Sequence, residues 1–302
     1  MKNEGNVATS VIGSYPVEIN NQELMNYYYN QVRFSWDGYI KKAVGDMLRA
    51  GVDFVSDGQT RDSFVNIYIR GLKGCRIRDR PEVVDKIVFD ESITVRDQKM
   101  VKDYIPSDKN LIGVVTGPFT LSQSVTDFFY NDDKELAFDF ASALNKEVKA
   151  LEPHVDMVSV DEPFFSNIIP GYAVDLIEAV LKNTDCISRL HVCGNVGSMI
   201  PQIIEIPVDV LSHEFKNQPS LFECFKEYSF SQKICLGCVR SDDAKVESVD
   251  EIKDHVLKGL DIFGSSLSQI APDCGLKMLP VDVAFQKLKN LSKVGEIINE
   301  QF

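Results

Sequence analysis

His191 and Cys193 stand two residues apart at the end of the short apolar run Arg189-Leu190-His191-Val192-Cys193-Gly194-Asn195. On a β-strand, residues i and i+2 point to the same face, so an imidazole and a thiol would project side by side. Both are good zinc donors, but two ligands do not hold a zinc ion. Two later strand ends offer partners. Cys274 lies in Pro272-Asp273-Cys274-Gly275, where Pro restricts the approach and Gly permits an unusual backbone angle, so a tight turn sets the thiol. Glu214 ends another apolar run, and a carboxylate is a workable zinc ligand. Zinc with thiolate ligands suits one chemistry especially: a substrate thiol entering the coordination sphere loses its proton at neutral pH and becomes a nucleophile. No Ser/His/Asp triad, nucleophile elbow, P-loop or dinucleotide fingerprint competes with it.

The other cysteines and histidines read as ordinary. Cys75, Cys186 and Cys224 are single thiols of the kind that pack in cores. Cys235 and Cys238 form a C-x-x-C, but three apart on a strand they face opposite sides, so both are expected in the core. His154 and His213 carry no ligand signal.

The elements that must hold the chemistry recur along the chain as a short apolar strand, a polar or Gly/Pro stop, and a helix. The strands are expected at 7–13, 52–56, 111–115, 157–160, 187–193, 208–212, 233–237 and 267–271. The helices are expected at 36–50, 134–151, 172–182, 199–205, 220–227, 249–263 and 281–299. Residues 63–108 mix β-branched residues with charges and read as an insertion or lid. Eight such units point to one catalytic α/β domain over 1–302, a (β/α)8 TIM barrel. Ser14, Asp57, Thr116, Asp161, His191, Glu214 and Cys274 all fall at or just past strand ends, which is the active-site face of such a barrel. A doubly wound sheet is the competing layout, and it would gather functional residues near one switch point.

Composition narrows the partners. A net charge of -13 provides no basic face for nucleic acid or anionic membrane. No apolar run approaches the ~18 residues of a membrane span, and the N-terminus lacks a signal-peptide core, so the cytoplasm is the expected location. Seven scattered cysteines, an odd number, suit a reducing compartment rather than a disulfide framework.

Six stretches, taken in order, resemble the catalytic C-terminal barrel of the cobalamin-independent methionine synthase family. They are Val11-Ile12-Gly13-Ser14-Tyr15-Pro16, Asp57-Gly58-Gln59-Thr60-Arg61-Asp62, Thr116-Gly117-Pro118-Phe119-Thr120, Val160-Asp161-Glu162-Pro163, His191-Val192-Cys193, and Pro272-Asp273-Cys274-Gly275-Leu276-Lys277. The resemblance covers nearly the whole chain. The long bacterial and plant enzymes carry an additional N-terminal barrel, and in size this chain is closer to the short archaeal-type members.

The resemblance implies zinc on His191, Cys193, Glu214 and Cys274, and homocysteine lying on Ile12, Gly13 and Ser14 with Asp161 at its amino group. The family's second amino-binding residue is a Glu, where this chain has Gln59; a neutral amide gives up a charge-assisted bond of roughly 1.5–3 kcal/mol. Arg61 is a candidate for binding the substrate carboxylate. Two family features of the methyl-donor side are missing. The stacking Trp expected after the Gly-Pro motif is replaced by Leu121-Ser122-Gln123-Ser124, and the only tryptophan is Trp36. The relay His expected after the seventh strand is replaced by Val239-Arg240-Ser241-Asp242-Asp243, where Asp242 or Asp243 would stand in. The expected activity is zinc-dependent methyl transfer to homocysteine or another small thiol, with either methyl-tetrahydropteroyl-glutamate or a methyl-corrinoid protein as donor. A methylcobamide:thiol methyltransferase of the uroporphyrinogen-decarboxylase-like group and a non-catalytic zinc accessory subunit are the alternatives.

Overall fold

Eight of the apolar runs form parallel strands in the structure, a computed structural model that describes residues 6–30 and 34–301. They are β1 (Ala8–Thr9), β2 (Phe54–Val55), β3 (Asn110–Thr116), β4 (Met157–Asp161), β5 (Ile187–Val192), β6 (Val210–His213), β7 (Lys233–Val239) and β8 (Leu267–Pro272). Their hydrogen-bonded order runs from β2 in sequence to β8 and on to β1. A parallel bridge between Ser10 and Phe54 joins the remaining gap, with Val11 N donating to Phe54 O at 3.1 Å. The fold is a (β/α)8 barrel, and the doubly wound alternative falls with that ring.

Strands buried on both faces need apolar residues at nearly every position, which is why these runs read as continuous rather than alternating. Ile12, Ile112, Val114, Met157, Val210, Cys235 and Ala271 fill the barrel interior. Val115, Val158, Val160, Leu190, Val192, Leu211 and Cys238 belong to the larger core shared with the helices. Cys235 and Cys238 therefore do face opposite sides, both buried.

An outer helix follows each strand: Asp37–Arg49, Val95–Tyr104, Asp133–Leu151, Ala173–Leu181, Ile200–Ile203, Leu221–Lys226, Val249–Phe263 and Val281–Gln301, with further helices Asn21–Asn30, Phe64–Gly71 and Pro118–Gln123 in the connections. Two of the outer helices carry side-chain caps at their starts. Asp132 accepts from Lys134 N and Glu135 N, and Ser248 and Glu251 form a reciprocal capping box, a device typically worth about 1 kcal/mol.

The segment 63–108 holds a helix (Phe64–Gly71), an antiparallel hairpin (Lys73–Ile77 with Pro81–Val88) and the second outer helix, Val95–Tyr104. The hairpin's second strand also pairs in parallel with Thr126–Asp127. A small sheet with one wet face accounts for the mix of β-branched and charged residues. β1 is shorter than the sequence suggests, because the Val11, Ile12 and Gly13 carbonyls bond to the side chains of Arg189 and Ser56 rather than to the ladder.

Candidate metal and substrate site

At the end of β5, His191 Nε2 lies 3.0 Å from Cys193 Sγ, and Cys193 Sγ lies 2.7 Å from Cys274 Sγ. The three donor atoms fall within 4.8 Å of one another. His191 Nδ1 faces Ser212 Oγ at 3.1 Å. A proton on Nδ1 satisfies that hydroxyl and leaves the Nε2 lone pair turned to the thiols, the tautomer a metal requires. Burial, reinforced by the Arg189 charge, holds His191 well below its ordinary pKa and so neutral. Cys193 is pushed well above the usual thiol range by its contact with Cys274 and by burial. Two thiols and a neutral imidazole converge here into a donor set that a soft or borderline divalent ion fits.

Cys274 and Glu214 are set together by Asp273. Its carboxylate, nearly fully buried, accepts from Lys216 N at 3.0 Å and Asn217 N at 2.8 Å, tying the β8 end to the loop after β6. Burial raises Asp273 to about 8. Glu214 is buried near Cys193, receives a 3.3 Å contact from Asn217 Nδ2, and stands outside the three-atom cluster.

The loop after β1 presents its N–H groups. Successive carbonyls are all occupied: Val11 O and Ile12 O accept from Arg189, Gly13 O from Ser56 Oγ at 2.5 Å, and Ser14 O from Leu276 N at 2.8 Å. Among the described residues nothing accepts from the N–H groups of Ile12, Gly13 or Ser14. Such a row of open amides suits a carboxylate. Gly275 lets the β8 loop close on this one, since a Cβ there would stand 2.1 Å from Ser14 Oγ.

Gln59 is buried beside this loop at a positive φ of 44°, with its Oε1 3.1 Å from where a Cβ on Gly13 would be. A glutamine in the left-handed region is uncommon and is held by its surroundings. Its N–H donates to Asp57 Oδ1 at 2.9 Å, and Lys277 Nζ donates to Gln59 O at 2.7 Å and Asp62 O at 2.9 Å. Burial raises Asp57 to about 6. Arg61 is spoken for: its guanidinium forms a two-point pair with Asp97 on Val95–Tyr104, one contact being 2.6 Å.

At the end of β4, Ser159 Oγ donates to Asp161 Oδ1 at 2.7 Å, while Asp161 Oδ2 has no hydrogen-bond partner among the described residues. Burial raises Asp161 to about 6 despite the opposing Arg189 charge. Glu162, fully buried, caps the short helix Pro118–Gln123 by accepting from Phe119 N (2.9 Å), Thr120 N (2.7 Å) and Thr120 Oγ1 (2.6 Å). It thereby locks the Thr-Gly-Pro-Phe-Thr stretch onto Asp-Glu-Pro.

Comparison with known proteins supplies the decisive observation. The catalytic-domain profile of the cobalamin-independent synthases matches residues 7–296. Methionine synthase of Methanocaldococcus jannaschii is 35% identical over 310 residues, covering 96% of this chain and 99% of that one. The chain belongs to the cobalamin-independent methionine synthase family. Methionine synthase of Methanothermobacter marburgensis is 32% identical, covering 95% of this chain and 98% of its own. A B12-independent methionine synthase from Shewanella, solved in complex with selenomethionine, shares the fold with a TM-score of 0.83 at 24% identity, covering 98% of this chain and 99% of that one.

As a member of this methionine synthase family the chain is a methyltransferase, and no helix of the described residues is long and apolar enough to cross a membrane. The donor side departs from expectation. Asp242 is half-exposed and paired with Arg240 through two 2.8 Å bonds, and that pairing draws its pKa down. A carboxylate held ionised is a poor proton reserve, so the expected donor role does not fit this side chain. Its loop is pinned instead: buried Glu247 accepts from Arg240 N and pairs with buried Lys287, each at 2.8 Å. Four residues escaped the sequence reading. Arg189, Ser159, Glu162 and Asp273 are all buried side chains that bond to neighbouring loops or to site side chains. For Arg189 a signal existed, a lone charge in an apolar run two residues before His191 and therefore on the same face.

Proposed function

We propose that this chain transfers a methyl group to the thiol of homocysteine to yield methionine, with zinc held by His191, Cys193 and Cys274 and with Glu214 as the exchangeable fourth donor. The observation that carries this is the convergence of two thiols and a neutral imidazole beside a row of open backbone amides. Bound zinc supplies acidity, so that an incoming thiol is a thiolate at neutral pH. Ser212 keeps the His191 ring oriented with Nε2 toward the cluster. The Gly13 and Ser14 N–H groups receive the substrate carboxylate. The free Oδ2 of Asp161 receives its ammonium, with Gln59 Oε1 as a neutral second acceptor. Orientation of this kind is worth several orders of magnitude in rate, because the thiolate must meet the methyl carbon in line.

A methyl-corrinoid protein is favoured over methyl-tetrahydropteroyl-glutamate as donor. The helix Pro118–Gln123 buries Leu121 and Ser122 where a stacking indole would be needed, and Asp242 is committed to Arg240. A departing Co(I) needs no proton, whereas a departing pterin nitrogen does. Residues 63–108 are proposed to border the mouth of the site, since Phe64 O accepts from Thr116 Oγ1 at the end of β3. The test is to incubate purified protein with homocysteine and either methylcobalamin or methyl-tetrahydropteroyl-glutamate and to assay methionine. Methionine from methylcobalamin is expected. Methionine from the pterin alone would reverse the donor assignment, and turnover of another thiol without methionine would remove homocysteine.

A further inference from the structure

Arg189 is a fully buried guanidinium projecting from β5 into the barrel interior. Its Nε donates to Ser159 Oγ at 3.1 Å, one Nη to Ser10 Oγ and Val11 O at 3.1 Å each, and the other to Ile12 O at 2.9 Å. None of these partners is a carboxylate. A charge buried among neutral acceptors is costly, and an apolar side chain of similar volume would stabilise a barrel core better. What the guanidinium supplies is reach and a planar fork of donors, which lets one side chain join β4 and β5 to the β1 loop across the ring.

We propose that Arg189 and Ser159 are positioning residues that set recognition of the amino-acid end of the acceptor thiol. Arg189 draws the Val11 and Ile12 carbonyls inward, and this turns the following N–H groups out toward the substrate carboxylate. Ser159 accepts from Arg189 and donates to Asp161 Oδ1, which fixes the carboxylate with Oδ2 presented to the substrate ammonium. One buried cation thus organises both halves of the recognition. The inference rests on the proposed function, in which the Gly13 and Ser14 N–H groups and Asp161 hold homocysteine.

The experiment measures dissociation constants on the metal-loaded protein for homocysteine, 4-sulfanylbutanoate (no amino group) and 3-sulfanylpropan-1-amine (no carboxylate). The variants are Ser159→Ala and Arg189→Lys, each with metal content and thermal melting checked. The wild type should prefer homocysteine to both analogues by about ten-fold or more, the discrimination expected of charge-assisted hydrogen bonds. Ser159→Ala should lose most of its preference over 4-sulfanylbutanoate and keep its preference over the amine. Arg189→Lys should lose both. A purely structural strut would weaken all three thiols alike and leave the ratios standing. Folded, metal-loaded variants with wild-type ratios overturn the proposal alone. Should Arg189→Lys fail to fold, the Ser159→Ala ratios decide. A wild type that does not distinguish homocysteine from the analogues overturns the proposed function, and this inference with it.

Discussion

Gly117→Ala should be among the most damaging single-methyl additions in the molecule. Gly117 has φ -63° and ψ 150°, angles that alanine adopts freely, so backbone strain contributes nothing. The added Cβ would instead stand 2.1 Å from Cδ and 2.3 Å from Cγ and Oε1 of Glu162. Neither side can yield cheaply, because Glu162 is fully buried and accepts three hydrogen bonds from Phe119 and Thr120. Burial raises Glu162 to about 7, so above that pH the group is ionised. Bonds to a charged group contribute about 1.5–3 kcal/mol each, and withdrawing the carboxylate from even two of them then costs roughly 3–6 kcal/mol. Urea denaturation should register that loss in the midpoint, with little change in slope. A double-mutant cycle locates the cause. In Gly117→Ala/Glu162→Ala the clash is gone, so the double variant should be about as stable as Glu162→Ala alone. A Gly117→Ala protein within about 1 kcal/mol of wild type, or strict additivity in the cycle, would refute the reasoning.

Three further outcomes are expected. Asp57 is buried, with a folded-state pKa of about 6 against an ordinary 3.8, so its contribution is fully favourable only below the lower value and is lost as pH rises through the higher one. Asp57→Asn should therefore gain on wild type by about 2.4 kcal/mol between pH 4 and pH 7, and parallel urea-midpoint profiles for the two proteins would contradict this. Lys287→Met strands the buried Glu247 carboxylate and should cost about 3–5 kcal/mol by urea titration, whereas a change near zero would mean the pair is not buried as described. Asp242→Asn should leave kcat within about two-fold of wild type, because an ionised, arginine-paired carboxylate has no proton to give; a fall of 10²-fold or more would restore it as general acid.

The barrel was legible because its strands are buried on both faces and therefore read as unbroken apolar runs between polar stops. The hairpin of Lys73–Ile77 and Pro81–Val88 was not, since its alternating charges belong to a sheet with one wet face. The approach of His191, Cys193 and Cys274 was legible for local reasons: His191 and Cys193 obey the strand period, and Pro272 to Gly275 turns the chain around Cys274. Side chains whose roles depend on distant partners were harder. Nothing local to Arg61 says that Asp97, 36 residues on, will occupy its guanidinium. Asp242 looked catalytic by position in its loop, and only the structure shows Arg240 folded back on it. Arg189 carried its own signal, a charge no apolar strand needs, but its partners lie on the far side of the ring and could not be read from the run itself.

Zinc-edge X-ray absorption on the purified protein, with and without homocysteine, tests the central claim most directly. Without substrate the first shell should contain two sulfurs, from Cys193 and Cys274, with a nitrogen from His191 completing the three-residue set. Homocysteine should add a third sulfur at about 2.3 Å. A sulfur count that stays at two when homocysteine saturates the protein, or a protein that binds no zinc, would contradict activation of the acceptor thiol at this site.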